Sequence, residues 1–387
     1  MRDIGDLRQR QALPLGAKVL MSQRRIREWY EHFGGNVYVS FSGGKDSTVL
    51  ANLVHDIYPD VPLVFSNTGL EYPEIQSFAR KIGAEFVRPK MSFSEVISKY
   101  GYPIISKENA EAIYRARIVR IGGARNYTER KRDELKGDRT WGGQWVNWRR
   151  QALAGVGEFS KEKKSIYNKE KWLPLCQETQ FGISHMCCDI TKKRPLEVYK
   201  RKTKRYPYIG TLAEESRLRE QKWLQNGCNA FEAKKKTSQP MSFWLEQDVL
   251  QYIKDNGLEI ASVYGEIVTT DSDGMEYENI LIPCGKLKCT GCQRTGCIFC
   301  GFGAHLEKGE TRFQRLARTH PKQYEFCMRG GQWVDNPKYD PSAPKMDGDW
   351  VNWNPKKIWV PSKEGLGMKK VFDDCNAIYG KGFIKYE

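Results

Sequence analysis

Ser42-Gly43-Gly44-Lys45-Asp46-Ser47 follows the β-rich run Asn36-Val-Tyr-Val-Ser-Phe41 and precedes a stretch in which Leu50, Leu53, Val54 and Ile57 recur at helical spacing. A glycine-rich turn between a strand and a helix is where phosphate-binding loops work. Gly43 and Gly44 let the backbone approach an anion and adopt conformations closed to other residues. The helix that follows aims its unpaired N–H groups and a partial positive charge at that anion. Lys45 adds a full charge, and Ser42 and Ser47 add hydroxyl donors. The Gly-x-x-x-x-Gly-Lys-Ser/Thr spacing of a Walker A loop is absent.

Outward from the loop, residues 18–33 read as an amphipathic helix with Val19, Leu20, Ile26, Trp29 and Phe33 on its buried side. Gly34-Gly35 ends it. Residues 61–66 and 85–88 read as further strands, and 72–83 and 92–100 as further helices. This alternation predicts an α/β fold, a Rossmann-like parallel sheet with helices on its faces. The rhythm breaks after Lys107 and resumes near Tyr208 and again near Asp248. The expected organisation is an N-terminal helical segment (1–35), a nucleotide domain (36–270) with a basic insertion at about 108–172, and a cysteine-rich lobe (271–387).

The formal net charge is +16. Residues 113–172 hold 16 Lys and Arg against 7 Asp and Glu, and residues 192–205 hold 8 basic side chains against Glu197 alone. Such a field attracts polyanions, and nucleic acid, DNA or tRNA, is the expected partner. Trp141, Trp145 and Trp148, beside Arg149 and Arg150, either stack on bases or form a small satellite core. No run approaches the length needed to cross a bilayer, and the first residues lack the apolar stretch of a secretory signal, so cytoplasm is the expected compartment. Eleven cysteines in such a chain point to metal or thiol chemistry rather than disulfides.

The loop is the signature of the PP-loop ATP-pyrophosphatases, and its surroundings resemble the phosphoadenosine-phosphosulfate reductase branch. Phe65-Ser-Asn-Thr-Gly-Leu-Glu-Tyr-Pro-Glu74, Cys187-Cys188-Asp-Ile-Thr-Lys-Lys-Arg-Pro195, Gly210-Thr-Leu-Ala-Glu-Glu-Ser-Arg-Leu-Arg219 and Ser242-Phe-Trp-Leu-Glu-Gln-Asp-Val249 carry that likeness, with the basic insertion outside it. The resemblance implies an adenine nucleotide alpha-hydrolase-like fold. It implies that Ser42, Gly43, Gly44, Lys45, Asp46 and Ser47 hold the β- and γ-phosphates of ATP with Mg²⁺. Lys45, Asp46 and Ser47 would be catalytic. Thr68, Gly69 and Glu71 would border the nucleotide, and Ser216 and Arg219 would reach a second anionic group.

Two departures separate the chain from sulfonucleotide reductases. Leu212 stands where those enzymes carry an arginine, and no Glu-Cys-Gly-(Leu/Ile)-His tail supplies a nucleophilic cysteine. The nearest substitute, Cys375, has acidic neighbours that disfavour a thiolate. The same fold serves tRNA thiolases and the ATPase component of DNA phosphorothioation systems, and the basic insertion favours that group. The expected activity is cleavage of ATP to AMP and pyrophosphate, adenylating an acceptor for sulfur transfer to nucleic acid, with a cysteine desulfurase as an expected partner. A sulfonucleotide reductase is the alternative, and a non-catalytic nucleotide-sensing module is a third reading.

Cys284, Cys289, Cys292, Cys297 and Cys300 fall within seventeen residues and include two Cys-x-x-Cys pairs. Such pairs converge on metals. Cys289, Cys292, Cys297 and Cys300 could hold zinc. The resemblance implies instead a [4Fe–4S] cluster on Cys187, Cys188, Cys297 and Cys300, the preferred set. Cys176, Cys228 and Cys327 read as buried apolar residues.

Overall fold

A computed structural model describes residues 3–117, 141–271, 276–277, 285–347 and 349–387. Cys284 and residues 118–140 of the basic stretch lie outside the described residues, as do the side chains of Trp141 and Trp145. Two compact units make up the chain: residues 1–90 with 191–297, and residues 91–190 with 298–387.

The first unit starts with α1 (Ile4–Gln11) and α2 (Leu15–His32) and continues through β1 (Val37–Phe41), α3 (Lys45–His55), β2 (Leu63–Ser66), α4 (Pro73–Lys81) and β3 (Glu85–Val87). The chain then supplies α5 (Phe93–Tyr100), β4 (Ile104–Ile105) and α6 (Lys107–Ala116) to the second unit. The first unit resumes with β5 (Tyr206–Ile209), β6 (Asn229–Ala230) and β7 (Thr237–Ser238). Its six-stranded sheet has the order β3-β2-β1-β5-β7-β6. All neighbours run parallel except the β6–β7 pair. The α/β class expected from the alternation is the one observed.

Val37, Val39 and Phe41 on one face of β1 and Tyr38 on the other are buried, as a central parallel strand covered on both faces requires. On α3, Val49, Leu50, Leu53 and Val54 are fully buried, so the helix after the loop is a core element. Helix α2 departs from its apolar periodicity. Leu20 is 68 % exposed, whereas Lys18 and Ser22 share the buried face with Ile26 and Trp29. The physical reason is partnership. Lys18 Nζ meets Asp248 Oδ2 at 2.6 Å, and Ser22 Oγ donates to the Pro240 carbonyl while accepting from Trp244 Nε1. Buried polar groups are tolerated when they are bonded in this way. Asp248 also accepts from the Leu245 N–H at the start of the helix Glu246–Asp255, so the pair fixes that helix against α2.

The remainder of the first unit includes a small antiparallel sheet of β8 (Ile267–Thr270), β9 (Glu276–Tyr277) and β10 (Lys286–Cys289), in the order β10-β8-β9. In the second unit β4 pairs with β11 (Gly301–Phe302), and α6 precedes the buried Arg117. That guanidinium donates to the carbonyls of Leu175, Cys176 and Phe181 and to Thr179 Oγ1, and it lies over the Trp353 ring. This grouping differs from the expected division. The described residues of the basic stretch belong with 298–387, and 271–297 belong with the nucleotide-domain sheet. Among the described residues no helix is long and apolar enough to cross a membrane.

Asp248→Asn would leave the Lys18 ammonium, 1 % exposed, without a counter-charge. Removing one partner of a buried pair costs about 3–5 kcal/mol. Urea unfolding should show a loss of that order for Asp248→Asn and recovery of most of it in Lys18→Met/Asp248→Asn.

Candidate nucleotide-binding site

The sheet order places the loop. From β1 the chain moves outward to β2 and then β3, whereas β5 flanks β1 on the other side. The C-terminal ends of β1 and β5 therefore bound the point where strand order reverses, the crevice in which open α/β sheets bind ligands. Ser42–Ser47 leaves one strand end and Gly210–Arg219 the other. The two segments touch. A Cβ on Gly210 would lie 2.9 Å from the Asp46 carbonyl oxygen and 3.2 Å from Ser47 Cα, so only glycine permits this approach. Gly43 has φ +73°, and a Cβ there would lie 2.6 Å from Ile75 Cγ2 on α4.

The loop is braced by its own hydroxyls. Ser42 and Ser47 Oγ atoms lie 3.0 Å apart, Ser47 Oγ accepts from the Ser42 N–H, and Gly44 N–H donates to Ser42 Oγ. Gly44, the N-cap of α3, makes no side-chain cap, which leaves the positive end of that helix facing the cleft.

Ser42, Gly44, Lys45, Asp46, Leu212, Glu215, Glu246, Tyr264, Gln293, Arg294 and Thr295 line the cleft. Lys45 is 5 % exposed; its Nζ lies 3.1 Å from Glu246 Oε1 and over the Tyr264 ring. Tyr264 OH bonds Thr295 Oγ1. Glu215 pairs with Arg219 and lies 3.9 Å from Arg294. Burial raises the Asp46 carboxyl above its ordinary value; Lys45 opposes the shift and Glu246 adds to it. Burial likewise depresses the Arg219 guanidinium, against the pull of Asp46. Leu212 is buried at the position where an arginine would have added a further cation.

The expected site residues divide into two groups. Ser42, Gly44, Lys45 and Asp46 line the cleft directly, Gly43 and Ser47 shape it, and Arg219 approaches it through Glu215. Ser216 caps the helix Arg217–Asn226 by accepting from the Arg219 N–H. Thr68, Gly69 and Glu71 follow β2 but do not line the cleft. Thr68 Oγ1 donates to Glu71 Oε1 at 2.6 Å, and the same carboxylate accepts the Thr68 and Leu70 N–H groups, so the pair holds its own turn. Glu246, Tyr264 and Gln293–Thr295 escaped the sequence reading. The last of these segments lies between Cys292 and Cys297, within the cysteine-rich stretch.

Cys187 and Cys188 Sγ atoms are 3.9 Å apart. Among the described residues no group of three or more His, Cys, Asp or Glu side chains is assembled to hold a metal ion. Cys176, Cys228 and Cys327 are buried as expected. Cys375 is completely buried, and burial followed by the charge of Asp374 drives its thiol far above the usual range. Such a thiol is no nucleophile.

The model of the phosphoadenosine phosphosulfate reductase domain matches residues 36–139 and 156–301. The chain belongs to that family. This reductase-domain family binds nucleotides and comprises enzymes of the PP-loop type, and the match takes in the loop, both strand-end segments and the Cys187-Cys188 pair. It also runs through most of the basic stretch, which corrects the expectation that 108–172 stands outside the family pattern; only 140–155 does. An adenosine 5'-phosphosulfate reductase of Staphylococcus haemolyticus is 30 % identical over 112 residues, covering 26 % of this chain and 46 % of the relative. An uncharacterized protein of Methanocaldococcus jannaschii is 27 % identical over 136 residues, covering 30 % of this chain and 33 % of that protein. The chain thus spans less than half the length of these curated relatives. The phosphoadenylyl-sulfate (PAPS) reductase from Candida auris, in a phosphate complex, is 14 % identical with a TM-score of 0.32, covering 62 % of this chain and 82 % of that one.

Two outcomes follow from this geometry. Gly210→Ala should push the Asp46 backbone aside and weaken binding of inorganic pyrophosphate roughly tenfold or more in calorimetry, because anion contacts depend on sub-ångström placement. Asp46 has a folded pKa above the ordinary 3.8, so its stabilising contribution is complete below that pH and is lost as pH rises through the folded pKa. Asp46→Asn should therefore melt higher than the parent at pH 7, with the difference closing as the pH approaches 3.8.

Proposed function

We propose that this protein is an ATP-pyrophosphatase that cleaves ATP between the α- and β-phosphates and adenylates an acceptor. The observation that carries the reading is the cleft itself: an uncapped helix N-terminus, a buried lysine and a glycine-rich turn converge at the sheet's switch point. An acceptor oxygen attacks the α-phosphorus, the bond to the bridging oxygen breaks, and pyrophosphate leaves with that oxygen. Such a reaction needs charge neutralisation and positioning more than covalent chemistry. Lys45 and the α3 N–H groups would hold the departing phosphates, and the Asp46 carboxylate fits a Mg²⁺ ion arriving on them, since that ion is usually held by one or two carboxylates together with phosphate oxygens.

The alternative, a sulfonucleotide reductase, is suggested by the names of the reductase relatives. It requires a thiolate that can reach the nucleotide, and the buried Cys375 does not suit that role. Leu212 also removes a cation that a sulfonucleotide would use. The net charge of +16 supports a nucleic-acid acceptor, and sulfur transfer to it, with a desulfurase supplying the sulfur, is the reading that joins these features.

Incubation with ATP, Mg²⁺ and tRNA or duplex DNA should release pyrophosphate and leave an equal amount of AMP on the acceptor, freed when a sulfur nucleophile or water displaces it. Lys45→Gln should slow that release by about a hundredfold or more, the loss typical of removing one charge-stabilising donor. Sulfite release from a sulfonucleotide and a thiol reductant, with no pyrophosphate from ATP, would establish the reductase instead.

A further inference from the structure

The cleft is built for anions, yet its charged lining is not net positive. Lys45 and Arg294 face Asp46, Glu215 and Glu246, and each lining cation has a carboxylate partner. Of these pairs, Lys45–Glu246 lies at the loop itself. The lysine is 5 % exposed and fixed by its surroundings, whereas the Glu246 side chain is 38 % exposed and has solvent to move into.

Glu246 is also not needed to cap its own helix. Its N–H donates to the Glu214 carboxylate, and the preceding Leu245 N–H donates to Asp248 Oδ2 at 2.6 Å. Asp248 is in turn held by Lys18. The helix start is thus anchored by other groups, and the Glu246 carboxylate is left directed at the phosphate-binding lysine.

We propose that Glu246 is the selectivity element of the cleft, its carboxylate holding Lys45 in place of a phosphate until a polyphosphate carrying a divalent cation displaces it. This rests on the nucleotide reading of the cleft. A lone sulfate or phosphate group must expel Glu246 and brings no positive charge of its own to Asp46 and the displaced carboxylate. A metal-complexed triphosphate or pyrophosphate offers several oxygens to Lys45 and brings positive charge against the carboxylates. The arrangement thereby favours ATP with its metal over a sulfonucleotide at the same loop.

The test is calorimetric titration of inorganic pyrophosphate into the full-length protein, Glu246→Gln and Lys45→Gln, each with EDTA and with Mg²⁺. Melting curves confirm that each variant is folded. Glu246→Gln should bind metal-free pyrophosphate roughly tenfold more tightly than the parent, the effect of removing one competing charge, while Mg-pyrophosphate affinity changes by less than about threefold. Unchanged or weaker metal-free binding by folded Glu246→Gln would overturn the proposal. Equal binding of Mg-pyrophosphate by the parent and Lys45→Gln would overturn the nucleotide reading of the cleft itself, whatever Glu246 does.

Discussion

The backbone of Gly210 rests on the backbone of Asp46, and the rest of the cleft depends on that approach. It joins the end of β5 to the first turn of α3 with no side chain between them. Everything after Gly210 is then delivered to the loop: Leu212 as an apolar wall, Glu215 as the partner of two arginines, and Ser216 as the cap of the next helix. A side chain at position 210 would separate the two strand ends, and the charges arranged around them would lose their common focus.

Those charges are balanced rather than surplus. Lys18 secures Asp248, Asp248 secures the start of the helix Glu246–Asp255, and that helix presents Glu246 to Lys45. A buried ion pair outside the cleft lining thus fixes the helix that presents a carboxylate to the loop. Burial raises the Asp46 carboxyl above its ordinary value, and an arriving cation would oppose that shift.

The loop and its flanking elements were legible because they are local: strand, glycine turn and helix follow one another within twenty residues, and each needs particular residue types. The segment from Gly210 to Arg219 was legible through its family pattern. What could not be read was decided by distant partners. Periodicity assigned Leu20 to the core of α2, because nothing in the local sequence announces that Lys18 will meet Asp248. Glu246, Tyr264 and Arg294 reach the loop only through the packing of the helix Glu246–Asp255 and the β8–β10 sheet. The segment between Cys292 and Cys297 contributes Gln293, Arg294 and Thr295 to the cleft wall, which the cysteine spacing does not announce.

The strand register carries a further consequence, for the chain during synthesis. Val37 of β1 pairs with Tyr206 of β5, whereas Val39 pairs with nearby Leu63 of β2. As the polypeptide emerges, β1, β2 and β3 can assemble early, but the other edge of β1 stays bare until the whole excursion through residues 91–190 has been made. An apolar strand with unpaired N–H and C=O groups is a template for any passing strand. The central strand of this sheet is therefore, for a time, an exposed edge, and the nascent protein is most open to misassembly at the strand that leads into its phosphate-binding loop.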